Sequence, residues 1–167
     1  MPPRGRNNEG HIVLHDARII FKNFAGKEGP FNRQGDRNFA VVLDDPKMVK
    51  ALEKDDWNVK YLKPREEGDE PQPYLQVSVN FNGRPPKVAI ITSRGRTNLG
   101  EREVEMLDWA DILTCDLIVR PYHWEVNGKS GIKAYLQSLF ATIEEDELEL
   151  KYADVDDARS GRLQPQD

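Results

Sequence analysis

The densest chemistry in this sequence lies on either side of Asn127-Gly128. Both positions tolerate positive φ, so the pair signals a two-residue hairpin turn. If Val126 pairs with Lys129 across that turn, Tyr122 stands opposite Lys133 and Arg120 opposite Tyr135. Side chains alternate between the faces of a strand. Arg120, Tyr122, Trp124, Lys133 and Tyr135 therefore share one face, and Val119, Pro121, Ile132, Ala134 and Leu136 share the other, with His123 near its end. One face is apolar and suits a core. The other is aromatic and cationic, a combination that suits an unpaired nucleic-acid strand. Bases stack on rings for about 1–3 kcal/mol each, and cations follow the phosphates. Every base has a flat face, so such binding tolerates sequence. The competing reading is ordinary strand aromatics with Lys and Arg stems lying over them. A turn extended to Gly131 would also slip the register by one residue and destroy the face.

Two further segments carry cations with suitable neighbours. Thr92-Ser93-Arg94-Gly95-Arg96-Thr97 reads as a glycine-hinged loop whose Arg94 and Arg96 suit phosphate oxygens, or as a solvated turn. The loop from Lys27 to Arg37 holds Phe31 among Lys27, Arg33 and Arg37. It could clamp a strand, or Phe31 could plug the core. Trp57 and Tyr61 read as core or rim.

Catalytic and metal chemistry find little support. His11 and His15 share a strand face but have no acidic or thiol partner in view. Asp44-Asp45 reads as a helix cap rather than a metal pair. Asp108 and Asp111 flank Trp109 and could in principle hold Mg²⁺, which makes a metal-dependent nuclease the enzymatic alternative. A helix end is the simpler reading of those two residues. The sequence has no glycine-rich phosphate loop, His-Glu-x-x-His or Gly-x-Ser-x-Gly. Cys115 is the only cysteine, so no internal disulfide forms and no zinc site is completed. The expectation is a non-enzymatic protein of a reducing cytoplasm, without cofactor or metal.

The elements that must position these residues are mostly strands. Strands are expected at His11–Phe24, Asn38–Leu43, Trp57–Leu62, Tyr74–Phe81, Lys87–Ser93, Asp116–Val126 and Ile132–Ile143. The clearest is Tyr74–Phe81, with Leu75, Val77, Val79 and Phe81 on one face and Tyr74, Gln76, Ser78 and Asn80 on the other. Short helices are expected after Asp44 or Asp45, with Pro46 in the first turn, and over Glu101–Trp109. The expected fold is mainly β, an antiparallel barrel, closed or nearly so, with two short helices.

The net charge of −5 is unevenly placed. Residues 144–167 hold nine acids against three bases, a local −6, and residues 1–143 carry +1. Residues 1–37 carry a local +3. Where charge sits, more than its sum, decides where a polyanion docks. Three parts are expected: a flexible N-terminus over 1–10, a folded domain over 11–143, and an acidic, partly disordered tail over 144–167. The tail could fold back on the basic face or recruit replication or recombination proteins. A protein-interaction module working through that tail is the second alternative. No apolar run is long enough to span a membrane, and no secretory leader opens the chain. Oligomeric state is open, a homo-oligomer included.

Several ordered blocks resemble a family of bacteriophage and prophage single-stranded DNA-binding proteins. They are Asp36-Arg37-Asn38-Phe39, the run Trp57 to Arg65, Thr92-Ser93-Arg94 and the run Tyr122 to Leu136, which contains Trp124-Glu125-Val126-Asn127-Gly128-Lys129. The likeness spans roughly residues 11–153. It implies an OB-fold barrel that coats single strands during phage replication or recombination, without cofactor or catalysis. The ending Gln164-Pro165-Gln166-Asp167 lacks the apolar tip of bacterial single-strand binders, which puts docking to the same host partners in doubt.

Overall fold

A computed structural model describes residues 10–145 of the chain. Nearly all of the expected flexible N-terminus, and all of the acidic tail beyond Glu145, lie outside the described residues.

The strands are β1 (Ile12–Ala17), β2 (Ile19–Asn23), β3 (Arg37–Val42), β4 (Val59–Leu62), β5 (Gln72–Val79), β6 (Lys87–Thr92), β7 (Gly95–Leu99), β8 (Ile112–Val126) and β9 (Lys129–Ile143). One α-helix, α1 (Pro46–Lys54), follows β3. The Asp45 carboxylate caps it by accepting from Lys47 N at 3.0 Å, Pro46 opens its first turn, and Val49 and Leu52 enter the core. The second expected helix is a 3₁₀ turn over Val104–Asp108. It is the shorter-pitched form common in short connectors.

The strand order is β1-β8-β9-β5-β3-β2, with β4 on β5, β6 on β9 and β7 on β6. The β5–β9 and β6–β9 pairs are parallel and the others antiparallel. The sheet does not close by hydrogen bonds, because β1 and β2 stand at the two ends of its main path. The single long strand expected over His11–Phe24 is instead these two strands. They are consecutive pieces of one bent segment, the first half pairing with β8 and the second with β3. Irregular register between Leu14 and Ala17 and between Ile20 and Asn23 accompanies positive φ at Asp16 and Phe21, both 51°. Bulges of this kind bend a strand and tighten its twist. The result is a partly open, OB-fold-like barrel whose edges are joined by the chain itself.

The core faces inward from every wall, with Phe39 and Val41, Leu75 and Val77, Leu117 and Val119, and Leu136 and Leu139 among its members. Phe24 stacks on Phe39 at 5.2 Å, so Phe24 rather than Phe31 is the plug of the β2–β3 loop. Strands β8 and β9 are each 15 residues long. A register shift between Ile118 and Val119 lets Ala134 and Leu136 on one side of it and Leu139 and Ala141 on the other all reach the core.

Asp108 is a structural anchor. Its Oδ1 accepts from Phe24 N at 2.7 Å and its Oδ2 from Ala25 N at 3.0 Å, which ties the start of the β2–β3 loop to the 3₁₀ turn. This is a correction to the Mg²⁺ reading: main-chain donors hold both carboxylate oxygens. No cluster of metal-ligating side chains occurs among the described residues. Hydrogen bonds to charged groups contribute about 1.5–3 kcal/mol each, and stranded donors cost more than absent ones. Asp108→Ala is expected to lower unfolding stability by about 2–3 kcal/mol in a denaturant titration. A stability equal to the parent's would contradict the anchor.

Candidate nucleic-acid interface

The β8–β9 hairpin has the register that its sequence suggests. Val126 pairs with Lys129, Tyr122 with Lys133 and Arg120 with Tyr135. Asn127 and Gly128 take φ of 50° and 80°, which gives the two-residue turn a twist matching that of the strands. Ile132, Ala134, Leu136 and Val119 are buried, while Tyr122, Trp124 and Lys133 are exposed and Arg120 and Tyr135 half-buried. The apolar and aromatic–cationic faces are therefore separate, as expected.

The aromatic face is organised around Tyr135. Tyr122 meets it edge-on at 5.9 Å, and the Arg120 guanidinium and the Lys133 ammonium each lie 5.3 Å from its ring centre. Trp124 lies over Gly131, the residue paired with it across the hairpin. A β-carbon at Gly131 would stand 2.9 Å from Trp124 Cζ2, so only glycine lets the ring lie this flat.

The face continues across the sheet. Asn38 of β3 pairs with Ser78 of β5, Ser78 with Tyr135 of β9, and Tyr135 with Arg120 of β8. This row of outward side chains crosses four strands. Beside it an open groove of about 990 Å³ runs from the β2–β3 loop to the hairpin. Phe31, Arg37, Trp124, Lys133 and Tyr135 line it, together with the polar Asn38, Gln76, Ser78 and Asn80. Its charge is mixed, since Asp36, Glu53 and Asp56 also reach it. Stacking surface and hydrogen-bonding groups, more than net positive charge, characterise the groove.

Phe31 stands fully exposed at its rim. The loop that carries Phe31 is held by amide side chains. Asn32 Nδ2 donates to the carbonyls of Lys27, Arg33 and Asp36, and Asn38 Nδ2 donates to Asn32 Oδ1 at 2.8 Å. Gly26, at φ 71°, passes so close to Gly35 that a β-carbon would sit 3.0 Å from its carbonyl carbon. Arg33 is exposed on the same loop. Arg37 donates to Glu101 at 3.2 Å and lies over the Phe81 ring, so its charge is already partnered.

Arg94 and Arg96 are not brought to this groove. In the segment Thr92–Thr97 only Ser93 and Arg94 form a tight turn, and Gly95–Thr97 begin β7, a strand that the sequence reading missed. Ile91 pairs with Thr142, seven residues beyond Tyr135 along β9, which is about 23 Å at the strand rise. There the Ser93 N–H and hydroxyl donate to the Glu145 carboxylate, and Arg96 lies 5.0 Å over Phe140.

Arg84 is a cation that the sequence reading overlooked. Burial lowers the pKa of His11, and the positive charges of Arg120 and Arg84 lower it further. Burial and Arg84 likewise lower Arg120, against an opposing effect of Tyr135. Arg84 and Arg120 thus share one electrostatic neighbourhood at the edge of the aromatic face. The only signal in the sequence was a lone Arg after the Asn82-Gly83 turn. Burial, with Asp116 adding to it, pushes the Cys115 thiol up to about 12.

Residues 4–166 match the family model "Putative phage ssDNA-binding domain". Among solved structures, the fold is similar to the single-stranded DNA-binding protein from bacteriophage Enc34 (TM-score 0.55, 13% identity, 87% of this chain and 90% of that one). The same Enc34 protein in complex with ssDNA gives a TM-score of 0.54 at 14% identity, over 87% of this chain and 96% of that one. At this identity the likeness concerns the fold. A search of curated proteins finds no match.

Gly131→Ala is expected to lift the Trp124 ring off β9 without unfolding the hairpin, because φ at Gly131 is not in the left-handed region. The tryptophan emission should shift, and the shift should vanish when Trp124→Phe is already present. An unchanged spectrum would mean that the ring does not rest on Gly131.

Proposed function

Because the chain belongs to the phage ssDNA-binding domain family, we propose that it binds single-stranded DNA across the outer face of β8, β9, β5 and β3. The observation that carries this reading is the ring cluster of Tyr122, Trp124 and Tyr135, with Arg120 and Lys133 against it, opening onto a groove rimmed by Phe31. Bases stack on the rings, phosphates run past Lys133, Arg120 and Arg84, and the amide and hydroxyl groups of Asn38, Gln76 and Ser78 meet base edges. OB-fold barrels bind oligonucleotides on the equivalent strand face and loops. Arg33 and Phe31 act from the β2–β3 loop as a flap over the strand. Arg37 contributes position more than charge, given its pairing with Glu101. Arg94 and Arg96 serve only a strand long enough to follow β9 to its far end.

The biological role that suits this binding is coating and protecting single strands during phage DNA replication or recombination, in the host cytoplasm and without catalysis. No helix among the described residues is long and apolar enough to cross a membrane. The acidic segment from Glu144 onward is the candidate for recruiting replication or recombination proteins.

The balance of forces is testable. Single-strand binding loses about 0.7 in log K per phosphate contact for each tenfold rise in salt. Contacts through Arg84, Arg120 and Lys133 predict a slope of about −2 on a short oligo-dT. Loss of a stacked ring at about 1–3 kcal/mol per base corresponds to roughly tenfold or more in affinity. Trp124→Ala and Tyr122→Ala are each expected to weaken oligo-dT binding by about that factor with the slope unchanged, whereas Lys133→Gln should reduce the slope by about 0.7. Parent-like binding by both aromatic variants, measured by fluorescence anisotropy, would reject this face as the DNA site.

A further inference from the structure

The outer face of β5 carries a second arrangement like the first. Tyr74 lies on the same face as Gln76 and Ser78, and Ser78 is the residue paired with Tyr135. Phe21 meets Tyr74 edge-on at 5.7 Å and 76°, much as Tyr122 meets Tyr135 at 5.9 Å and 81°. Lys60 of β4 pairs directly with Tyr74, as Lys133 pairs directly with Tyr122. Each site is thus two perpendicular rings with an exposed lysine in register beside one of them. The Lys60 ammonium reaches along the face to donate to Gln76 Oε1 at 3.1 Å, toward the first site.

The exposure of Phe21 is unusual. Ile19 packs against the core, and simple alternation would send Phe21 inward as well. The irregular register between Ile20 and Asn23, with φ of 51° at Phe21, instead leaves the ring 58% exposed beside Tyr74. Left-handed backbone at a bulky residue costs of order 1–3 kcal/mol and concentrates at functional positions. The bend of the β1–β2 segment accounts for a bulge here. It does not account for an aromatic residue displayed on it.

We infer that Phe21, Tyr74 and Lys60 form a second stacking site for the same DNA strand, reached by following β5 from Ser78 to Tyr74. The two sites are four residues apart along β5, about 13 Å at the strand rise. That distance spans about four nucleotides at a stacked rise of 3.4 Å, and fewer in an extended strand. A strand too short to span it engages the hairpin alone, and a longer one engages both sites. The occupied length is then set by β5, the strand shared by the two sites.

This inference rests on the DNA-binding reading above, and a length series separates the two. Affinity for oligo-dT is measured from about two to about sixteen nucleotides with the full-length protein. The parent is expected to gain affinity in two stages. Phe21→Ala should bind the shortest oligonucleotides like the parent and lose about tenfold on the long ones. Lys60→Gln, a surface change that leaves both rings in place, should lower the salt slope by about 0.7 on long oligonucleotides only. Parent-like affinity of Phe21→Ala at every length, with Trp124→Ala weakened throughout, would overturn the second site and keep the first. Parent-like affinity of Trp124→Ala would overturn the first reading itself. Should Phe21→Ala prove unstable to heat, an unaltered long-oligonucleotide slope in Lys60→Gln alone overturns the proposal.

Discussion

The register of the β8–β9 hairpin is the constraint on which the rest of the molecule depends. These two 15-residue strands form the spine of the sheet, and β1, β5 and β6 all pair with one or the other. A slip of one residue would exchange every inward and outward side chain. It would bury Lys133 and Tyr135 and expose Ala134 and Leu136. Two features hold the register. The Asn127-Gly128 turn permits only a short loop with the right twist, and burial of Val119, Ile132, Ala134 and Leu136 rewards one pairing over its neighbours. The proposed binding face is the complement of that burial. The rings are outside because the aliphatic residues between them are inside.

The second constraint is closure. The main path of the sheet ends in two strands, and here both come from one segment bent at its middle. Bending costs regular pairing at Asp16 and Phe21, and both residues adopt left-handed backbone. The bend also launches the β2–β3 loop from a defined place. Asp108 captures the main-chain donors of Phe24 and Ala25, and the amides of Asn32 and Asn38 hold the far side. With Phe24 buried at its start and side-chain to main-chain bonds organising the rest, the loop presents an exposed Phe31 at the groove.

Electrostatics play a narrower part than the overall charge distribution suggests. The groove mixes carboxylates with cations, and Arg37 is committed to Glu101. Arg84, Arg120 and Lys133 remain as the positive edge. Base stacking of about 1–3 kcal/mol per ring outweighs a solvent-exposed ionic contact, typically worth under about 1 kcal/mol. On the proposed face, affinity then depends first on how many rings a strand can reach, and only second on how many phosphates it neutralises.

Local rules made much of this molecule legible from its residues. Alternation revealed β5 and the two faces of the hairpin, Asn-Gly marked the turn, and Asp45-Pro46 marked the start of α1, because each of these depends on neighbours within a few positions. Where a side chain lies relative to distant segments is another matter. Arg94 and Arg96 looked equivalent to the hairpin cations until parallel pairing of β6 with β9 carried them to the far end of the sheet. Asp108 reads as a helix end or, less simply, as a metal ligand, and only the fold shows that Phe24 and Ala25, more than eighty residues earlier, occupy its oxygens. Phe21, inside the single strand expected over His11–Phe24, is turned outward beside Tyr74 by a bulge. Sequence alone determined most of the strands, the turn and the chemistry of the hairpin face, since hydrophobic alternation and turn geometry are local. Only the tertiary structure decided which cations join that face and which aromatics extend it, since pairing between remote strands and the bend that closes the barrel leave no local trace.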